Sequence, residues 1–96
     1  MKYNVKIYQM NVNSDILFMP YDFTMKHGGI DFENYDMVYE MCVIDNRNEY
    51  QILEDIYEML NIDHPHDSRG RSLSVSDIVE LNGNRYFVDS FGYQKI

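Results

Sequence analysis

Ninety-six residues, 45% of them hydrophobic and 25% charged, have the composition of one globular domain and exclude a disordered tail, a fibrous repeat or two separate cores. Eight basic residues stand against 16 acidic ones, a net charge of -8 that excludes an ordinary nucleic-acid binder with its basic groove. The single cysteine, Cys42, excludes an internal disulfide and a cysteine-based zinc site, which agrees with a reducing compartment.

Residues 2–7 alternate Lys2, Asn4 and Lys6 with Tyr3, Val5 and Ile7, the period-two pattern of a half-buried strand. No apolar signal core with a small-residue cleavage site opens the chain, so the expected location is cytoplasmic. Asn13, Ser14 and Asp15 offer turn or N-cap chemistry, and Ile16 to Lys26 has room for a short helix ended by Gly28 and Gly29. Pro20 weakens that helix unless it begins there, with proline in its first turn. Met37 to Ile44 is apolar on both faces apart from Glu40, the pattern of a central strand covered on both sides. Cys42 within it is expected as buried packing rather than as a nucleophile, because no electropositive neighbours lower its pKa. The run falls far short of the roughly 20 residues that span a bilayer, and no membrane partner is expected.

The principal helix is predicted over about residues 48–61, where Ile52, Leu53, Ile56, Tyr57 and Leu60 form one apolar stripe. Asn48 and Gln51 stand at the spacing of a capping box, and Glu54, Asp55 and Glu58 fall mainly on the opposite side. Residues 63–70 contain Pro65 and Gly70 and form a loop. A C-terminal β-hairpin is predicted over about residues 76–91, its two strands flanking Asn82-Gly83-Asn84. Gly92 marks a bend or bulge before a last short strand, Tyr93 to Ile96. Strands at both ends around one good helix, without βαβ alternation, predict a single α+β domain over residues 1–96 on a mainly antiparallel, curved sheet.

The acidity is concentrated. Residues 31–67 hold 11 acidic residues and one basic residue, Arg47, a charge of -10, whereas the rest of the chain holds five acidic and seven basic residues. Such a face either keeps a small domain soluble or docks on a basic partner, imitating nucleic acid. At 1.5 Å rise per residue, Glu54 and Glu58 stand about 6 Å apart along the helix axis, similar to a phosphate repeat. The candidate partner-binding residues are Glu49, Tyr50, Glu54, Asp55, Tyr57, Glu58, Asp63 and Asp67. Tyr21, Tyr35, Tyr50 and Tyr93 lie in predicted loops or element ends, as interface anchors or as partly buried rim residues of a small core.

Other constellations are thinner. His64-Pro65-His66-Asp67 under-supplies a metal site, with only His27 elsewhere. Ser72, Ser74 or Ser76 with His64 and Asp77 has the composition of a catalytic triad but no nucleophile elbow to expose a serine. Arg69 and Arg71, around Gly70, would hold a phosphate or carboxylate, or instead pair with Asp63, Asp67 or Asp77. Asp77 and Asp89, beside Ser76 and Ser90, are expected to cap backbone amides. Neither a metal nor a cofactor is expected, nor an enzyme.

Asn34-Tyr35-Asp36-Met37-Val38-Tyr39, Leu53-Glu54-Asp55-Ile56-Tyr57, Asn61-Ile62-Asp63-His64-Pro65, the block from Gly70 to Val79 and the block from Tyr86 to Tyr93 resemble, in this order, the YodL-like domain. The resemblance runs from about Asn34 onward, and the first 30 residues match only loosely. Members often carry a phenylalanine near Ser68 and a histidine where Arg71 stands, so the Arg-Gly-Arg character belongs to this chain. The resemblance implies a setting in low-GC Gram-positive bacteria, their phages and conjugative elements, hence a bacterial host cytoplasm, and carries over no catalytic residues. Together with the acidic face it leads to the expectation of an anti-defence protein: an anti-CRISPR-like inhibitor that binds a type II effector nuclease and blocks guide RNA or target DNA access. The other expectation is a non-enzymatic module regulating another host cytoplasmic protein, such as a filament or replication component. Exposed strand edges leave both monomer and homodimer open.

Overall fold

The alternating N-terminal sequence forms β1, Lys2–Met10, three residues longer than the pattern alone predicts. In the computed structural model, which describes residues 2–10, 18–44, 46–62, 73–90 and 92–96, it is followed by α1 (Tyr21–Lys26) and a 3-10 turn (Phe32–Asn34). Then come β2 (Tyr35–Ile44), α2 (Glu49–Ile62), β3 (Ile78–Leu81), β4 (Asn84–Val88) and β5 (Tyr93–Lys95). The strands make one sheet in the order β2-β1-β3-β4-β5, and every neighbouring pair is antiparallel. This is the α+β architecture expected, with one correction. Both β2 and β3 run antiparallel to β1, so they are parallel to each other, and α2 joins them across it as a split βαβ unit.

One side of the sheet buries the main core. Tyr3, Val5 and Ile7 of β1 meet Ile52, Leu53, Ile56 and Leu60 of α2, with Val79, Leu81, Tyr86 and Val88 from the C-terminal strands. The other side is apolar only at one end, where Ile78, Phe87 and Tyr35 are covered by Tyr21 of α1 and by Ile30. Its remainder carries a row of alternating charge across four strands: Glu40, Lys6, Glu80 and Arg85, with contacts of 3.9, 3.9 and 3.1 Å. The Arg85 guanidinium also lies 3.8 Å from the Phe32 ring centroid, a cation–π contact.

β2 is an edge strand, not the central strand that its apolar run predicts. Ile7 pairs with Tyr39 but Tyr8 pairs with Met37, so Val38 is an extra residue and β2 bulges there. Below the bulge Tyr39, Met41 and Val43 share the side of Ile7, Val5 and Tyr3, whereas beyond it Met37 and Tyr35 share the side of Tyr8 and Met10. Each half is therefore covered on one face only. Cys42 falls on the uncovered side and is exposed, correcting its expected burial, and Ile44 at the strand end is 84% exposed.

Two turns fix the C-terminal strands. Asn82 (φ 50°) and Gly83 (φ 89°) both take positive φ, the requirement of the tight turn predicted at this Asn-Gly pair, and Leu81 pairs directly with Asn84. Ahead of β3, the Asp77 N–H donates to the Ser74 carbonyl at 3.1 Å while Ser76 sits at φ 81°, the third position of a type II turn. α1 begins directly after Pro20, which occupies the N-cap position, and the turn residues proposed at 13–15 lie outside the described residues.

Candidate partner-binding site

α2 starts where the capping-box spacing predicts. The Gln51 N–H donates to Asn48 Oδ1 at 3.0 Å, and the Asn48 N–H donates to Gln51 Oε1 at 3.3 Å, so two otherwise orphaned helix donors are satisfied reciprocally. Ile52, Leu53, Ile56 and Leu60 then face the sheet, which turns Glu54, Asp55 and Glu58 to solvent.

The structure divides the acidic segment. Glu49 stands one turn before Leu53, on the core side, where it accepts hydrogen bonds from the Tyr86 hydroxyl and from Asn84 Nδ2, the latter at 3.2 Å. Asp55 makes an ion pair with Arg47. Asp31 caps the 3-10 turn by accepting from the Glu33 N–H at 3.1 Å, and Glu40 belongs to the charge row on the opposite side of the sheet. What gathers on the outer surface of α2 is Glu54 and Glu58, one turn apart, flanked by Tyr50 (54% exposed) and Tyr57 (39% exposed). The Tyr50 ring meets Tyr86 edge-on at 5.9 Å, so this candidate residue is oriented from beneath. Asp45, Asp63, Asp67, Arg69, Arg71, His64, His66 and Ser72 lie outside the described residues.

Each shoulder of α2 carries a depression. Toward β2 an apolar groove of about 440 Å³ is lined by Met41, Val43, Ile52, Ile56 and Met59, with Arg47, Asp55 and Glu58 at its rim. Toward the C-terminal strands a polar cleft of about 170 Å³ is lined by Glu54, Tyr57, Val88, Asp89, Ser90, Gly92 and Tyr93. Here the Tyr93 hydroxyl donates to the Leu53 carbonyl at 3.3 Å, tying β5 to the helix. Burial above all, then the nearby Glu54 carboxylate and Tyr57, push the Tyr93 phenol well above its ordinary pKa. Asp89 Oδ1 accepts from the Tyr21 N–H at 3.1 Å and from the Ser90 N–H at 2.8 Å, whereas its Oδ2 takes part in no hydrogen bond among the described residues.

Asp89 therefore caps backbone amides as expected, and so do its neighbours in the serine-rich block. The Asp77 carboxylate, fully buried, accepts from the Ser74 N–H at 2.8 Å and from Gln9 Nε2 at 3.1 Å. The Ser76 hydroxyl, equally buried, accepts from the Phe18 N–H at 3.0 Å, and the Ser76 carbonyl accepts from the Tyr35 hydroxyl at 2.6 Å. These groups hold β1, β3 and the segment before α1 together.

Sequence reasoning placed Glu54 and Glu58 correctly on the exposed side, whereas Tyr57, assigned to the apolar stripe, lies at its margin and is exposed; Asp89 and Tyr93 as their neighbours and Arg47 as the partner of Asp55 were missed. The block from Tyr86 to Tyr93 was the available signal for Asp89 and Tyr93. No helix among the described residues is long and apolar enough to cross a membrane.

The YodL-like domain family model matches residues 4–96, and the chain belongs to that family. The match takes in the N-terminal strand, which the shared blocks had left loosely covered. No curated protein and no solved structure shows a significant match.

Proposed function

We propose that this YodL-like domain is a non-enzymatic inhibitor that docks the outer surface of α2 on a basic protein. The carrying observation is that Glu54 and Glu58 project from successive turns with no ion-pair partner among the described residues, between two exposed tyrosines. Carboxylates left without a cation lose least when they meet a cationic surface, and exposed aromatic rings beside them supply the apolar anchors of an interface. The proposed target class is the positively charged channel of a type II CRISPR effector nuclease, with guide RNA or target DNA access as the step blocked. The mobile-element setting implied by the resemblance and the net charge of -8 support that target. Encounter is electrostatically steered and weakens with added salt.

The test is an order-of-addition cleavage assay with purified nuclease at low and high salt, comparing the wild type with a Glu54→Lys, Asp55→Lys, Glu58→Lys variant whose fold is verified by circular dichroism. Inhibition only before guide loading assigns the RNA channel, and inhibition after loading assigns the DNA site. The variant is expected to lose about tenfold or more in affinity, since like charges across an interface cost several kcal/mol. Unchanged inhibition by the variant refutes α2 as the docking surface. Absence of binding in either order refutes the nuclease tested and directs the search to other basic cytoplasmic proteins.

A further inference from the structure

The cleft between α2 and the β4–β5 connection has the chemistry of a receptor for one cationic side chain. Its described lining holds two carboxylates, Glu54 and Asp89, and two phenols, Tyr57 and Tyr93, but no lysine, arginine or histidine. Among the described residues Glu54 has no ion-pair partner and one Asp89 oxygen accepts no hydrogen bond. Tyr93 donates its own proton to the Leu53 carbonyl, so its oxygen lone pairs stand ready to accept. At about 170 Å³ the cleft is smaller than the 300 Å³ or more of ordinary small-molecule sites, but it accommodates the end of a single long side chain.

We propose that this cleft binds an arginine side chain of the partner, its guanidinium donating to the Glu54 and Asp89 carboxylates beside the rings of Tyr57 and Tyr93. Arginine fits better than lysine because its planar fork donates to two acceptors at once and stacks on aromatic rings, whereas an ammonium is a compact, strongly hydrated point charge. Cation–π attraction to an exposed tyrosine adds to the ion pairs. The proposal rests on α2 as the docking surface and names the residue type that the surface receives.

The probe is N-acetyl-L-arginine amide, titrated into the isotope-labelled domain and followed by amide chemical shifts, with the lysine amide and the neutral, isosteric citrulline amide in parallel. Saturable shifts centred on Glu54, Tyr57, Ser90, Gly92 and Tyr93 are expected from arginine and not from citrulline. Glu54→Gln is expected to weaken binding roughly tenfold, as for a lost charge-assisted hydrogen bond. Tyr57→Ala is expected to weaken it about two- to fivefold. Both substitutions lie at exposed positions, and retention of the remaining amide spectrum verifies the fold. Unsaturable shifts spread over distant carboxylates such as Asp22 and Glu33, or arginine binding that neither substitution alters, overturn the proposal. Equal binding of the lysine amide overturns the arginine assignment. Arginine binding here without nuclease binding refutes only the nuclease target. Inhibition that survives Glu54→Gln and Tyr57→Ala but not Glu58→Lys refutes only the cleft.

Discussion

Asn82 is the residue at which one substitution separates backbone strain from side-chain bonding. Its side chain stitches the β3–β4 turn to the central strand: Oδ1 accepts from the Asn4 N–H at 2.7 Å, and Nδ2 donates to the Lys2 carbonyl at 3.0 Å. Its φ of 50° lies in the left-handed region, which asparagine tolerates and alanine resists by about 1 kcal/mol or more. The two bonds lie at the surface, so each contributes about 0.5–1 kcal/mol net. Asn82→Ala loses both and adds strain, about 2–3 kcal/mol together, whereas Asn82→Gly loses the bonds alone, about 1–2 kcal/mol. For a domain of this size 1 kcal/mol shifts Tm by about 4–8 °C, so alanine is expected to lower it by about 10–20 °C and glycine by about half as much. Thermal melts followed by circular dichroism, with urea midpoints in parallel, measure both. An alanine variant melting within about 3 °C of the wild type, or a glycine variant as damaged as the alanine one, would refute this account of the turn.

Glu49→Ala is expected to cost roughly 2 kcal/mol of stability, through its bonds to Tyr86 and Asn84, while leaving partner affinity unchanged. Urea midpoints beside affinities measure the two, and lost affinity without lost stability would return Glu49 to the interface. Cys42 is exposed and is expected to react with one equivalent of a thiol reagent in the folded protein; reaction only in denaturant would place it inside. The Tyr93 phenol, harder to ionise in the folded chain than its ordinary value of 10.0, contributes stability that is full below about pH 10 and falls as pH rises above it. Urea midpoints across that range are expected to fall less in Tyr93→Phe, and identical declines would count against a buried phenol.

Where one local pattern served one face, structure followed pattern. The alternation of β1, the Asn48–Gln51 box, the stripe of α2 apart from Tyr57 and the Asn82-Gly83 turn are decided within a few residues, and each appears where its chemistry predicts. β2 was misread because Val38 shifts the register halfway along the strand: two half-covered segments of opposite sense look, in sequence, like one strand covered on both faces. The core-side position of Glu49 was legible, since it precedes Ile52, Leu53 and Ile56 at helical spacing, but a count of charges hid it. The arginine cleft was not, because Glu54 and Tyr57 meet Asp89 and Tyr93 only once the sheet has brought distant segments together.

The central position of β1 has a consequence for the order of events during synthesis. Within the domain this strand is made before either partner: one edge must wait for residues 35–44 and the other for residues 78–81. The β3–β4 hairpin is local and can close alone, but the sheet cannot be completed around β1 until residues 78–81 have been made. Completion of the sheet is therefore a late, non-local event, the capture of β1 by β3. Until then Tyr3, Val5 and Ile7 stand uncovered, apolar surface that in an incomplete sheet is open to aggregation.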